Sequence, residues 1–154
     1  MTMAPPPGAS QHPGGVALPQ RGVFATSEIV PMLQYASQEM REKGAEWKRL
    51  REAANEAKAR AKQVRANLIV ELRTWGNEVT GQPIKTSAER QEWADADADV
   101  QQAELEADLA QTVQMAAYEA YQDAQGYFET LRNMLSIERD EMKREHGGGP
   151  GGPF

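Results

Sequence analysis

Basic side chains between residues 40 and 66 are the residues of this chain whose type and spacing point most directly to a chemistry. This segment holds nine Lys or Arg and four Glu, a net charge of +5, in a chain whose net charge is −6. Lys and Arg at this density bind phosphate groups, so the segment predicts a strip that contacts a nucleic-acid backbone. The predicted DNA-binding residues are Lys48, Arg49, Arg51, Lys58, Arg60, Lys62 and Arg65.

The same basic residues also have a structural interpretation, in which they pair with acidic side chains elsewhere in the protein. Residues 85–145 hold fifteen acidic and six basic residues, a net charge of −9, and are a ready source of partners. Pairing within the strip explains the pattern less well, because Glu52 and Glu56, like Lys58 and Lys62, place equal charges four residues apart. The sequence leaves both interpretations open.

Catalytic residues are not visible in the pattern. His12 and His146 lie in or beside the terminal segments, Ser and Thr have no nearby base, and there is no Gly-rich phosphate loop between a strand and a helix. We therefore expect a protein that is not an enzyme and that needs no cofactor.

An acidic run in the second half of the chain has the spacing of a calcium loop but lacks its central glycine. Asp95, Asp97, Asp99 and Glu106 fit positions 1, 3, 5 and 12, whereas Val100 stands where such a loop needs Gly. Carboxylates are also favoured in the first turn of a helix by its dipole. We interpret the run as a helix start and expect no metal.

The strip itself needs a long amphipathic helix to position it. Apolar residues recur in steps of three and four from Ile29 to Val79, which predicts one helix over about residues 27–79. Gly81 and Pro83 supply a stop signal after it, and Gly76 offers an alternative end one turn earlier.

A second long helix is predicted over about residues 87–144, after a turn at 80–86. Thr86 and Glu89 form the pattern of a capping box at its start. Beyond its main apolar stripe the helix carries a flanking apolar row, which is wider than packing on one other helix requires. We therefore expect further copies of the chain to cover it. The row comprises Leu105, Leu109, Val113, Ala116, Ala120, Tyr127, Met134 and Ile137.

The short link between the helices predicts an all-α, coiled-coil-like antiparallel hairpin that oligomerises. Folding about residue 84 places residue n opposite about 168 minus n. Trp47 and Leu50 then meet Tyr118 and Tyr121, and Trp75 meets Trp93. The predicted core and oligomer residues are Trp47, Leu50, Leu68, Leu72, Trp75, Trp93, Val100, Tyr121, Phe128 and Leu131.

The remaining segments bound the hairpin, which is predicted to span residues 26–145. Residues 1–25 and 146–154 are rich in Pro and Gly and are predicted to be disordered. The chain has no cysteine, no apolar run near the ~20 residues of a membrane span and no signal-peptide pattern. These features predict a cytoplasmic, soluble protein without a membrane partner.

The order of these features resembles phage recombination mediator proteins of the UvsY type over about residues 40–140. The features are the basic part of the first helix, the turn, the acidic run and the long apolar-rich second helix. The residues that carry the resemblance are Lys48 to Arg73, Trp75-Gly76, Gly81, Lys85 to Glu89, Asp95 to Val100, and the second helix up to Arg139.

This resemblance implies a homo-oligomeric helical assembly that binds single-stranded DNA and helps to load a RecA-like recombinase where single-strand-binding protein already sits. It implies DNA contacts from Lys58, Arg60, Lys62 and Arg65, and a location in the cytoplasm of a phage-infected bacterial host. The chain departs from the family in its Pro/Gly-rich ends and its more acidic second helix. The alternative is a non-enzymatic phage structural, scaffolding or adaptor protein that acts through helical protein contacts.

Overall fold

The computed structural model describes residues 26–79 and 81–147, and over these residues the regular secondary structure is all helix. The helices are α1 (Thr26–Thr74), α2 (Ser87–Ala96) and α3 (Ala98–Gly147). The predicted all-α class is confirmed. The segments predicted to be disordered, 1–25 and most of 146–154, lie outside the described residues, while His146 and Gly147 belong to the last turn of α3.

The first helix ends at Thr74, so the predicted end near Val79 is wrong and the alternative stop at Gly76 is the one used. Gly76 adopts a φ of +78°, in the left-handed region that favours glycine. The backbone N–H groups of Trp75 and Gly76 both donate to the carbonyl of Glu71, at 2.8 and 3.2 Å. A single left-handed residue thus stops the helix before Gly81 is reached.

The predicted second helix is interrupted at Asp97, which divides it into α2 and α3. Asp97 has extended backbone angles, and its carboxylate accepts a hydrogen bond from the backbone N–H of Val100 at 3.0 Å. Aspartate in this role satisfies one of the unpaired donors at a helix start, so the side chain favours a new helix beginning at this point. At the start of α2, Thr86 occupies the cap position, but its hydroxyl bonds to the Glu89 carboxylate instead of the backbone.

Buried and half-buried side chains recur along α1 and α3 in alternating steps of three and four. Such spacing averages 3.5 residues and keeps one narrow stripe of each helix turned toward its partner. In α1 the stripe comprises residues 29, 33, 36, 40, 43, 47, 50, 54, 57, 61, 64 and 68. In α3 it comprises residues 100, 103, 107, 110, 114, 117, 121, 124, 128, 131, 135 and 138.

The described residues belong to two compact units, and the first combines residues 26–42 with residues 121–147. Its core is a cluster of Ala36, Tyr127 and Leu131, with Met32, Leu33 and Phe128 packed around it. Burial raises the pKa of the Tyr127 phenol, and the nearby Glu39 and Tyr35 add to the effect.

The second unit, Lys43–Ala120, carries the basic strip. Its stripe is built on small side chains, with Ala54, Ala57 and Ala61 buried in α1, so a facing helix can approach closely. Trp47 contacts Tyr118, one of the two tyrosines predicted to meet Trp47 and Leu50, with ring centroids 4.8 Å apart. Beyond α1, the backbone N–H of Ile84 donates to the carbonyl of Leu72 at 2.9 Å, and both side chains are buried.

The predicted core residues divide into three groups in the structure. Leu72, Val100 and Leu131 are buried, and Trp75 is 76% exposed. Trp75 is not part of the core of the protomer, because α1 ends at Thr74, one residue before it, and its part in an oligomer contact stays a prediction. The half-buried members are Trp47, Leu50, Leu68, Trp93, Tyr121 and Phe128.

Candidate nucleic-acid interface

Five of the seven predicted DNA-binding residues lie on one flank of α1. A residue advances about 100° around an α-helix, so side chains spaced by 3, 7, 4 and 3 residues stay on one side. These five residues are called the basic row below. The basic row comprises Lys48, Arg51, Lys58, Lys62 and Arg65.

The other two predicted residues, Arg49 and Arg60, lie about 160° around α1 from the centre of the basic row. Arg49 donates to the Glu46 carboxylate at 2.6 Å, and both groups are exposed. This hydrogen bond raises the pKa of the Arg49 guanidinium and lowers the pKa of Glu46. The seven predicted residues therefore do not form a single surface.

Three lysines of the basic row are open to solvent. Lys48, Lys58 and Lys62 are exposed, and none of them forms an ion pair with any residue in the described ranges 26–79 and 81–147. A lysine ammonium without a carboxylate partner loses no ion pair when it meets a phosphate. These lysines are the part of the strip best suited to an anionic ligand.

Arg65, at the end of the basic row, has a structural role. Its guanidinium contacts the carboxylates of Asp95 and Glu104 at 2.8 and 2.7 Å and donates to the Gln91 side chain at 3.0 Å. The hydrogen bond to Asp95 raises the pKa of the Arg65 guanidinium most, and the hydrogen bond to Glu104 raises it further. The side chain ties α1 to α2 and α3, so at this one position the structural interpretation of the basic strip holds.

An aromatic pair lies beside the other end of the basic row. The guanidinium carbon of Arg51 lies 5.7 Å from the ring centroid of Trp47, within the range of a cation–π contact. Trp47 in turn contacts Tyr118, which is 38% exposed. Folding about residue 84 predicts that Tyr118 lies near Trp47 and Leu50, but it does not connect Tyr118 with the basic strip, because Tyr118 belongs to α3 and 53 residues separate it from Arg65.

The acidic run serves the fold. Asp95 pairs with Arg65 and Asp97 caps α3. Across residues 26–79 and 81–147 there is no group of three or more His, Cys, Asp or Glu side chains placed to hold a metal ion.

Two broader findings complete the description of the chain. Among the helices described, none combines the length and the apolar character needed to cross a bilayer. Comparison with protein-family models, with curated proteins and with solved structures gives no match.

Proposed function

We propose that this protein binds single-stranded DNA along the basic row and assists the loading of a RecA-like recombinase. The observation that carries the proposal is the set of three exposed lysines, Lys48, Lys58 and Lys62, that share one helix flank and have no ion-pair partner within residues 26–79 and 81–147. The resemblance to recombination mediators of the UvsY type points to the same role.

An antiparallel helical hairpin is the architecture that we propose for the chain. It is supported by contacts within each unit: Trp47 with Tyr118 and Arg65 with Glu104 in one, and Ala36 with Leu131 in the other. From one pair to the next, the residue of α1 comes later in the chain while its partner in α3 comes earlier, as antiparallel helices require. These pairs fall close to the register obtained by folding the chain about residue 84.

The basic row has a length suited to a short stretch of nucleic acid. From Lys48 to Lys62 it spans about 21 Å at 1.5 Å per residue, which is about six phosphates of a strand that keeps the stacked rise of 3.4 Å per nucleotide. Ammonium groups recognise phosphate charge and not base edges, so binding should show little sequence preference. Tyr118, exposed beside the row, is placed to add one stacking contact.

A single basic row makes few contacts, and in this proposal self-association strengthens its binding to DNA. Repeated rows on several copies raise the effective concentration of cations along one strand, so affinity rises steeply with the number of copies engaged. The acidic part of α3 suits contact with a basic surface of the recombinase or of single-strand-binding protein. These partners are inferred from charge and from the resemblance.

The test is a fluorescence-anisotropy titration of a labelled single-stranded oligonucleotide at low salt. The variant Lys58→Gln/Lys62→Gln keeps good helix formers on the exposed flank and removes two charges from the basic row. We expect binding to weaken by about tenfold or more, because two phosphate contacts are lost.

The matched control is Arg49→Gln/Arg60→Gln, which removes the same charge from the opposite flank of the same helix. This control should bind nearly as the unaltered protein does. Equal losses in both variants would show attraction to the total charge of α1 and not to the row. No loss in either would refute DNA binding by this helix.

The second candidate function is a phage structural, scaffolding or adaptor role. It is favoured by the apolar side chains exposed on α3, among them Leu105, Leu109 and Val113, each more than half exposed. Under this alternative the protein would self-associate but would not bind the oligonucleotide at any salt concentration.

A further inference from the structure

A row of exposed apolar side chains follows one flank of α3 in the second unit. Leu105, Leu109 and Val113 are 53%, 58% and 51% exposed. At about 100° per residue, Leu109 and Val113 lie about 140° to 180° around α3 from Glu104, the residue that contacts Arg65 of the basic row. The apolar flank and the basic row therefore occupy opposite sides of this unit.

The apolar flank continues in both directions through uncharged residues that pair about Leu109. Counting outward, Leu105 pairs with Val113, Gln102 with Ala116, and Ala98 with Ala120. Branched apolar side chains lie at the centre and alanines at both ends, and at the remaining pair the long Gln102 side chain stands opposite the small Ala116. All seven positions fall within about 80° of the helix surface.

A row with this symmetry fits an antiparallel copy of itself. In a two-fold contact, residue i of one copy meets residue j of the other and the reverse contact also forms. We propose that the flank from Ala98 to Ala120 is the self-association face of the protein, covered by the same flank of a second copy, with the two Leu109 side chains meeting on the axis. The inference specifies the self-association contained in the proposed function and rests on it.

The dimensions of this contact predict a reversible association. The row from Ala98 to Ala120 is about 33 Å long and about 10 Å wide, so the two copies together cover roughly 700 Å². Stable protein interfaces bury about 1,200 to 2,000 Å². The predicted dimer therefore dissociates on dilution.

The charges around the row give the association a distinctive salt dependence. Between residues 98 and 120 the helix carries five acidic residues and no Lys or Arg. Two such helices repel each other, and added salt screens this repulsion, so association should strengthen with salt. DNA binding by the basic row should instead weaken with salt. The two activities are thus separable in one set of buffers.

The experiment is disulfide crosslinking, since the natural chain has no cysteine. Leu109→Cys places its thiol on the proposed axis and should crosslink to itself under mild oxidation. Leu105→Cys or Val113→Cys alone should crosslink much less, because each lies about 12 Å along the helix from its own counterpart. An equimolar mixture of these two variants should crosslink. Met115→Cys, equally exposed at 55% but about 120° off the row, is the matched control.

A second variant protects the test against a folding artefact. Leu109→Glu puts two further carboxylates on the axis, and light scattering should show it monomeric at concentrations where the unaltered protein associates, with unchanged helical circular dichroism. Its affinity for a short oligonucleotide that spans one basic row should also stay unchanged.

The outcomes distinguish the two proposals. Crosslinking of Leu105→Cys or Val113→Cys alone as efficiently as Leu109→Cys, crosslinking of Met115→Cys to the same extent, or association that survives Leu109→Glu would overturn the proposed face. Whether Lys58→Gln/Lys62→Gln loses oligonucleotide binding does not depend on any of these three results. The self-association face can therefore fail while DNA binding stands, and the reverse.

Discussion

Replacement of Gly76 by alanine tests the turn that ends α1 and holds α2 against it. Gly76 has a φ of +78°, and a Cβ atom built on it lies 2.0 Å from the carbonyl oxygen of Gln82. Real Cβ contacts do not fall below 3.0 Å, so the backbone around Gln82 must move by an ångström or more. The segment that moves leads directly to Ile84, which is 4% exposed and hydrogen-bonded to Leu72.

The expected loss of stability has three parts. An alanine in the left-handed region costs about 1–2 kcal/mol. Withdrawal of the Ile84 side chain from its buried site costs about 1.5–3 kcal/mol, and loss of its backbone hydrogen bond about 1 kcal/mol. Because the turn need not detach completely, we expect Gly76→Ala to lower the free energy of unfolding by about 3–5 kcal/mol.

Urea denaturation followed by circular dichroism measures this loss, with the protomer concentration held fixed because self-association adds to stability. Gly81→Ala is the control, since Gly81 has a φ of +60° but no atom within 4 Å of an added Cβ. It should lose only the backbone term, about 1–2 kcal/mol. Equal losses in the two variants would show that the contact with Gln82 does not constrain the turn.

Three further changes probe the first unit. Gly126→Ala should raise the free energy of unfolding by about 0.5–1 kcal/mol, because the position is helical and an added Cβ meets open space; a loss of stability in urea denaturation would contradict this. Leu131→Ala should lower it by about 2–5 kcal/mol, since Leu131 is 0% exposed, whereas a change below 1 kcal/mol would show that the cluster is not packed. Burial raises the pKa of Tyr127, so the folded chain keeps a proton that the unfolded chain releases above about pH 10. The free energy of unfolding should therefore fall as pH rises past that value, and Tyr127→Phe should fall less steeply; identical slopes would refute the effect.

Much of the helical architecture follows from spacing. Steps of three and four from Ile29 onward predict the buried stripe of α1, and folding the chain about residue 84 brings Trp47 and Leu50 near Tyr118 and Tyr121, of which the structure shows Trp47 against Tyr118. These features depend on the periodicity of side chains along a helix, which one sequence displays in full.

The helix ends were predicted less well because they depend on the competition between neighbouring signals. Gly76 and Gly81 are both stop signals and both adopt a positive φ, so the sequence alone does not show which of them ends α1. Asp97 was interpreted as part of an acidic run, whereas its carboxylate caps a new helix. Trp75 was placed in the core because α1 was extended past its true end at Thr74.

The candidate site was predicted as a set of charges but not as a surface. Charge counting cannot separate Lys58 from Arg60, although two residues along a helix place them on different flanks. It also cannot show that Arg65 is held by Asp95 and Glu104, because that contact depends on where α2 and α3 pack.

The salt dependence of DNA binding tests the central claim most directly. The measurement is the slope of log affinity for a single-stranded oligonucleotide against log salt concentration, for the unaltered protein and for Lys48→Gln/Lys58→Gln/Lys62→Gln. Each phosphate contact on a single strand contributes about 0.7 to this slope, so three lost contacts should make it shallower by about 2. Binding by both proteins with the same slope, or no binding by the unaltered protein at low salt, would contradict the assignment of the basic row as a DNA-binding surface.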